Sequence, residues 1–363
     1  MEEKKYLALL HTIGFSHRKL HEIFSEKQNY KDFYESISVD ILIQYKYTEK
    51  QISIILERKK QFTIQYIEKK IQERNVEIIT VFDEQYPQGL LHISQVPFVL
   101  YLRGRLDSSQ KFSVVGARRI SSYGIKIIEK LIPDLSKYFT IVSGGAAGCD
   151  TIAHKVCLQS GGKTISVIGT GIDQDYPTGN IKLYAEIVKN GGAVISMFPI
   201  SEVGNPYNFP IRNEIVAGLS HGTLVVEAQE KSGTLITAQQ CLDLGKDLFA
   251  IPGDIFLGNS IGCNKLIQSN AAKLVLTSVD ILEEYNISIS SSNRDIYANK
   301  NKTQNISDDI EKSIYNLLLL EKMNINEISK KIGLDIRTLG FKLSMLEIAG
   351  LVKKSLSGDY EIQ

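Results

Sequence analysis

The stretch Ser143-Gly144-Gly145-Ala146-Ala147-Gly148 decides the fold, because it joins the end of an apolar run to the start of a helical pattern. Similar glycine turns flank it: Val115-Gly116-Ala117-Arg118-Arg119 precedes it, and Ile168-Gly169-Thr170-Gly171 follows it. In an open α/β sheet, glycine at a strand end lets a phosphate approach backbone N–H groups, and the next helix adds the positive end of its dipole. These turns therefore predict one anion-binding crevice, in which Arg118 or Arg119 can add bidentate phosphate contacts.

Short runs rich in β-branched residues alternate with helical patterns on both sides of this stretch. The predicted strands are Val76–Phe82, Phe98–Leu102, Phe112–Val115, Phe139–Ser143, Thr164–Ile168, Ala193–Ser196, Thr223–Val226, Leu248–Ile251 and Lys273–Leu276. Most strands from Phe112 onward are apolar throughout, as expected for strands covered on both faces. The alternation predicts parallel βαβ units. The predicted fold class is therefore α/β, with a Rossmann-like, doubly wound, mostly parallel sheet over residues 76–285.

The flanking segments have different patterns. Residues 1–75 have helical periodicity and predict a small all-α domain of SAM-like or helix-hairpin-helix-like type, with one long amphipathic helix over Ile52–Ile71. Residues 286–307 are rich in Ser and Asn and predict a linker. Residues 308–363 combine helical runs with a hairpin pattern, which predicts a winged-helix domain. Its predicted helices are Ile310–Leu320, Asn326–Ile332 and Ile336–Ala349.

Composition excludes several classes of protein. The chain has 363 residues, 43% hydrophobic and 23% charged, which is ordinary for a globular protein. Its formal net charge of +1 excludes a generally basic, histone-like binder but not a local basic site. The four cysteines form no C-x-x-C pair, and no secretory signal or apolar run long enough for a membrane span is seen. We therefore expect a cytoplasmic protein with reduced cysteines and no membrane association.

The sequence offers no catalytic, cofactor or metal motif. It lacks the G-x-G-x-x-G fingerprint, the P-loop lysine, the G-x-S-x-G elbow and a histidine or acidic cluster at metal-ligand spacing. His154 fits a structural histidine better than a catalyst or a ligand. The sequence therefore predicts no cofactor and no metal.

An ordered series of short motifs resembles the DprA/Smf family, the DNA-processing proteins of bacterial natural transformation. It comprises Tyr86-Pro87, Pro97 to Gly104, Val115 to Arg118 with Tyr123-Gly124, Ser143 to Asp150 with Ala153-His154, Tyr176-Pro177, Phe209-Pro210-x-Arg212-Asn213, Val226-Glu227-Ala228, Ser232 to Ala238 and Ile251-Pro252-Gly253. The resemblance implies a protein that binds single-stranded DNA and loads the recombinase RecA onto it during DNA uptake, transformation and recombination. It also implies a homodimer formed through the Rossmann-like domain, and no catalysis.

Single strands are held by a positive groove and by aromatic side chains on which bases stack. The predicted DNA-binding residues are Gly116, Arg118, Arg119, Ser143, Gly144, Gly145, Gly169, Gly171, Lys182, Phe209, Arg212 and Asn213. Two of them have open alternatives: Phe209 either stacks on a base or fills the core, and Asn213 either bonds a base edge or caps a following helix. The sequence departs from the family at Glu214, where many members have a basic residue, and at Thr178, where some have lysine. Both departures predict weaker DNA affinity.

Two other functions remain open at this point. A nucleotide-metabolising enzyme of the lysine-decarboxylase-like Rossmann family would carry a Pro-Gly-Gly-x-Gly-Thr-x-x-Glu motif. Gly222-Thr223 lacks the glycine pair of that motif, and Gly233-Thr234 lacks its glutamate. A winged-helix transcription regulator would carry a basic third helix, yet Arg337 and Lys342 are offset there by Asp335 and Glu347. The sequence leaves open whether the winged-helix domain touches DNA.

Overall fold

The chain, seen in a computed structural model, forms two compact units, Met1–Tyr285 and Asn286–Gln363. The structure describes residues 2–24, 29–287, 306, 308–355 and 358–362. Most of the predicted linker, 286–307, lies outside the described residues. The predicted boundary between residues 75 and 76 falls inside the first unit and stays a prediction.

Six helices open the first unit, within the part of the chain that the structure describes. They are α1 (Glu2–Ile13), α2 (His17–Ile23), α3 (Tyr30–Ser36), α4 (Val39–Gln44), α5 (Glu49–Gln61) and α6 (Ile64–Arg74). The single long helix predicted over Ile52–Ile71 is wrong, because α5 ends before Thr63. The Thr63 hydroxyl accepts a hydrogen bond from the Tyr66 N–H at 3.2 Å and starts a new helix as its N-cap.

The first unit continues as a nine-stranded sheet, counted over the described residues. Its strands are β1 (Val76–Thr80), β2 (Val99–Gly104), β3 (Lys111–Val115), β4 (Thr140–Ser143), β5 (Thr164–Val167), β6 (Ala193–Ser196), β7 (Gly222–Val225), β8 (Asp247–Ala250) and β9 (Lys273–Leu274). The order across the sheet is β1-β2-β6-β5-β4-β3-β7-β8-β9. Strand β2 is antiparallel to both neighbours, and every pairing from β6 to β9 is parallel. The predicted mostly parallel α/β sheet is confirmed.

Helices connect these strands, as the alternating pattern predicts. They are α7 (Ser122–Leu135), α8 (Cys149–Gln159), α9 (Ile181–Lys189), α10 (Asn208–Leu219), α11 (Gly233–Asp243), α12 (Ile261–Gln268) and α13 (Ser278–Leu282). Successive residues of a strand point to opposite faces, so Val194 and Ile195 of β6 lie in different cores. The core around Val194 includes α1 and α9, and the core around Ile195 includes α10 and α11.

The strand order reverses beside β3, and this reversal positions the site. From β3 the chain adds β4, β5 and β6 on one side, then returns to place β7, β8 and β9 on the other. The loops that leave β3 and its two neighbours diverge at such a point and leave a crevice outside the carboxyl ends of the strands.

The second unit contains, among its described residues, three helices and one antiparallel strand pair. They are α14 (Asp309–Leu320), α15 (Ile325–Ile332), α16 (Ile336–Ile348), β10 (Val352–Lys354) and β11 (Tyr360–Ile362). Ile314, Leu339 and Leu343 belong to its hydrophobic core. None of the helices described in either unit is long and apolar enough to cross a membrane.

Candidate functional site

A cavity of about 650 Å³ lies at the strand reversal, at the carboxyl ends of β3, β4 and β7. We call this cavity the crevice. Seven of the predicted site residues line it: Gly116, Arg118, Arg119, Gly144, Phe209, Arg212 and Asn213. The structure thus brings most of the predicted site residues together around one cavity.

Helix α10 supplies one wall of the crevice. Phe209, Arg212, Asn213 and Val216 line it, and their spacing of three or four residues puts them on one face of the helix. Pro210 occupies the first turn, where a backbone N–H has no partner within the helix, so proline is tolerated there. Asn213 lies inside α10, so the alternative that it caps a following helix is wrong.

The Phe209 ring is surrounded by another ring and two guanidinium groups. Its centroid lies 5.9 Å from the centroid of the Tyr176 ring. The central guanidinium carbons of Arg118 and Arg212 lie 5.3 and 5.9 Å from it. Phe209 is half-buried, while Arg118 and Tyr176 are exposed. This arrangement can present aromatic surface and positive charge to the same ligand.

Arg212 differs from Arg118 because its guanidinium is committed to the protein backbone. It is buried, and its Nη1 donates hydrogen bonds to the carbonyl oxygens of Gly144 and Val167. A Cβ on Gly144 would lie 2.7 Å from the Arg212 Cζ, so a side chain at residue 144 would displace the guanidinium. Arg212 therefore ties α10 to the ends of β4 and β5 and shapes the crevice floor.

Asp150, in the first turn of α8, is the acidic neighbour of Arg212. It is buried and accepts a hydrogen bond from the Ala146 N–H at 3.1 Å. Burial raises the pKa of Asp150 and lowers the pKa of Arg212, and the opposite charges counteract both shifts. Because Asp150 offsets the charge of Arg212, Arg212 adds little positive charge to the crevice floor. The positive charge available to a ligand comes from other side chains.

Arg118, Arg119 and Lys231 supply that free charge. All three are exposed and line the crevice, and none forms an ion pair with any residue that the structure describes. Gly148 allows the turn that contains Arg118 to pack closely against the start of α8, because a Cβ at Gly148 would lie 2.3 Å from the Arg118 carbonyl oxygen. Gly148 also has a φ of 84°, which a residue other than glycine rarely adopts.

The other five predicted residues do not line the crevice. The Ser143 hydroxyl is buried and donates to the Val114 carbonyl at 2.6 Å. The Gly145 carbonyl accepts a hydrogen bond from the Asn180 side chain at 2.9 Å. A Cβ on Gly169 would lie 2.9 Å from the Phe209 ring, and one on Gly171 would lie 2.4 Å from the Pro199 carbonyl. These four residues pack the loops behind the crevice, and Lys182 is exposed on α9.

Sequence reasoning missed several lining residues. Tyr176 belongs to the Tyr176-Pro177 motif, but nothing in the sequence around it predicts that its ring contacts Phe209. Lys231 precedes the Ser232-Gly233-Thr234 turn by one residue, so a basic side chain beside a glycine turn was the available signal. Glu214 lies outside the lining, and its carboxylate accepts hydrogen bonds from the Ser94 N–H at 2.5 Å and the Ser94 hydroxyl at 2.8 Å.

Comparison with known proteins agrees with this architecture. The family described as DNA recombination-mediator protein A matches residues 77–286. DNA processing protein DprA of Streptococcus pneumoniae is 41% identical over 235 residues, which are 64% of this chain and 82% of that protein. The X-ray structure of DNA processing protein A from the same species is 35% identical with a TM-score of 0.65, covering 77% of this chain and 97% of that one.

A second solved structure is also similar. It describes the single-stranded DNA binding mode of DNA processing protein A from Helicobacter pylori. That structure is 27% identical to this chain with a TM-score of 0.52, covering 58% of this chain and 95% of that one.

Fold and site together define a Rossmann-like α/β protein whose crevice combines free cations with aromatic rings. The chain belongs to the DNA recombination-mediator protein A family, which confirms the resemblance to the DprA/Smf proteins.

Proposed function

We propose that this protein binds single-stranded DNA in the crevice and loads RecA onto it during transformation and recombination. One observation carries the proposal: at the strand reversal the Arg118 guanidinium, unpaired among the described residues, lies 5.3 Å from the Phe209 ring centroid, and the Tyr176 ring lies 5.9 Å from the same ring. Unpaired DNA presents phosphates and base faces along the same strand, and a duplex hides the base faces in its stack. The crevice has groups for both features of a single strand.

We assign each predicted DNA-binding residue a role according to its position in the structure. Arg118, Arg119 and Lys231 contact phosphates, since they are exposed and carry no ion pair within the described residues. Phe209 and Tyr176 stack on bases, a contact worth about 1–3 kcal/mol per base. Gly116 and Gly144 let the strand ends pack closely behind the ligand, since a Cβ would meet Cys149 at Gly116 and Arg212 at Gly144, and Asn213 bonds a base edge. Lys182 extends the phosphate track outside the crevice.

The relatives support this assignment by what is stated of them. The Helicobacter pylori protein has a described single-stranded DNA binding mode, and the pneumococcal protein is a DNA processing protein. The family is that of a recombination mediator, so we propose DNA handling without catalysis for this chain.

The remaining organisation belongs to the same proposal. We assign residues 1–75 to a small helical domain, 76–285 to the DNA-binding domain, 286–307 to a linker and 308–363 to a winged-helix domain. The protein acts in the cytoplasm as a homodimer joined through the DNA-binding domain. The three helices and the strand pair of the second unit have the element order of a winged helix.

Fluorescence anisotropy with oligo-dT and with a duplex of equal length tests the DNA-binding step. We expect oligo-dT to bind at least tenfold more tightly, since a duplex offers only its phosphates to the crevice. Equal affinities would contradict the proposal. A strand-loading assay with RecA and single-strand-binding protein tests the second step, and an unchanged RecA loading rate would contradict it.

A further inference from the structure

A second cavity, of about 530 Å³, lies next to the crevice and shares two of its lining residues, Gln229 and Asn259. We call it the side cavity. Its other lining residues are Ser121, Tyr123, Glu227, Gly253, Asp254, Leu257, Gly258 and Ser260. A strand that occupies the crevice can reach the side cavity by passing the two shared residues.

The shared residues belong to a hydrogen-bonded wall between the two cavities. The Gln229 side-chain N–H donates to the Asn259 side-chain oxygen at 3.1 Å. The Asn259 side-chain N–H group lies 3.1 Å from the Arg119 carbonyl and 3.2 Å from the Glu227 carboxylate, and donates to both. The wall therefore connects the Arg119 turn of the crevice directly to Glu227 in the side cavity.

Glu227 is a buried carboxylate with spare capacity to accept hydrogen bonds. It is 3% exposed and follows the end of β7 by two residues. It accepts hydrogen bonds from the Ser121 N–H at 3.0 Å, from the Ser121 hydroxyl, and from Asn259. An ionised carboxylate offers about four acceptor positions, so one acceptor position remains for a ligand N–H.

The charge of the side cavity excludes phosphate as its occupant. Its lining includes the acidic residues Glu227 and Asp254 and no Lys or Arg, considering only the residues that the structure describes. Tyr123 is 42% exposed and Leu257 is 55% exposed, so the cavity also offers apolar surface. A flat, uncharged group with N–H donors at its edge fits these walls.

We propose that the side cavity holds one unstacked nucleobase with an exocyclic amino group, and that Glu227 accepts a hydrogen bond from that group. This inference rests on the proposed binding of single-stranded DNA in the crevice. Carboxylates accept from the cytosine N4 amino group, whereas thymine and uracil present a carbonyl oxygen at the same position. The protein then prefers single strands with amino-bearing bases over strands of thymine or uracil.

The test compares oligo-dC with oligo-dU by anisotropy on the full-length protein. These oligomers differ in the N4 amino group against the O4 oxygen, and neither carries the thymine methyl group. We expect oligo-dC to bind at least about fivefold more tightly, which is the lower end of what one good base contact contributes. Equal affinities within twofold would overturn the inference and leave the proposed function intact. Failure of both oligomers to bind would overturn the proposed function itself.

Two variants locate the preference. Glu227→Gln keeps the shape of the side chain but exchanges one acceptor oxygen for a donor, so the ratio of the two affinities should fall to about one. Gly258→Tyr reaches the same end by filling space, since a Cβ at Gly258 has no atom within 4 Å. Gly233→Tyr is the matched control: it lines the crevice, has the same open space, and should weaken both oligomers while keeping their ratio. A preference that survives both Glu227→Gln and Gly258→Tyr in folded protein would overturn the assignment.

Discussion

The crevice of the first unit and helix α16 of the second unit use their charged side chains in opposite ways. In the crevice, Arg118 and Lys231 are exposed and have no ion pair among the described residues. On α16, the Lys342 ammonium lies 2.5 Å from Asp308 and 3.2 Å from Glu311. Both regions contain basic residues, but among the described residues the crevice leaves Arg118, Arg119 and Lys231 without an ion pair, whereas α16 has one paired cation, Lys342, and one unpaired cation, Arg337.

Their exposed aromatic and apolar residues differ as well. Phe209 in the crevice lies against two guanidinium groups, whereas Phe341 on α16 is 63% exposed and is followed on the same helix face by Met345 and Ile348. A stacking platform for DNA needs positive charge beside the ring, because the bases carry phosphates with them. With DNA bound in the crevice as proposed, the partners of the basic side chains, rather than their number, would distinguish the crevice from α16.

Replacing Arg212 by alanine should produce the largest effect, because this arginine holds the crevice together. The change leaves the Gly144 and Val167 carbonyls without their donor and leaves Asp150 buried without its cation. Leaving a buried hydrogen-bonding group without its partner costs about 1–3 kcal/mol, and more where the group is charged. Urea unfolding should show that loss. Arg337→Ala on α16 is the control, and an equal loss there would mean that the two regions do not differ.

The second largest effect should come from acid, which should lower the stability of the first unit but not that of the second. All six histidines lie between residues 11 and 221, and the second unit has none. Burial lowers the pKa of His11 well below its ordinary value, that of His17 to about 4 and that of His154 to about 3. The unfolded chain therefore binds more protons below pH 6.5, so the stability of the first unit falls as the pH drops from 6.5 toward 4.

The expected loss is roughly 2 kcal/mol between pH 6.5 and 5 for each histidine that stays neutral in the fold, at about 1.36 kcal/mol per pH unit. Hydrogen exchange followed by mass spectrometry reports the two units separately. Protection should decrease in the helices and sheet of the first unit and stay constant in α14–α16. A decrease of the same size in both units would contradict the assignment to the buried histidines.

Arg118→Ala should change the salt dependence of DNA binding without changing stability. Its guanidinium is exposed and makes no ion pair with a described residue, so its removal disturbs the fold little. Each phosphate contact on a single strand contributes about 0.7 to the slope of log affinity against log salt. We expect the slope for oligo-dT to decrease by about 0.7. Glu214→Lys is a useful companion, because residue 214 lies outside the crevice lining and should leave that slope nearly unchanged.

The strand pattern of the fold could be predicted closely from the sequence. Each predicted strand is present within two residues of its predicted bounds, and Ala193–Ser196 is identical. These strands are short apolar runs bounded by glycine or polar residues, so their limits are local properties. The predicted helix Ile52–Ile71 failed for a local reason as well, since the apolar spacing continues through Phe62 and Thr63 while the Thr63 hydroxyl starts a new helix.

The sequence could predict only those parts of the site that follow from the order of strands and helices along the chain. Glycine turns after parallel strands meet at one sheet edge, which brings Gly116, Gly144 and Arg118 together. The sequence could not show that the Arg212 guanidinium is committed to two backbone carbonyls, or that Tyr176 packs beside Phe209. Both contacts depend on how α10 and the loop after β5 approach each other, and no residue spacing records that approach.

Phe341→Ala should have the smallest effect and tests the comparison most directly. Phe209 and Phe341 are both phenylalanines on helices, but only Phe209 has guanidinium groups near its ring. Loss of stacking should make Phe209→Ala weaken oligo-dT binding by about 1–3 kcal/mol. Phe341→Ala should leave oligo-dT affinity unchanged within twofold, and its stability within about 0.5 kcal/mol, because it is a surface change and no Lys or Arg among the described residues lies over its ring. If the two variants weaken binding equally in anisotropy titrations, α16 also contacts the strand, and the difference in available positive charge does not decide where this protein holds DNA.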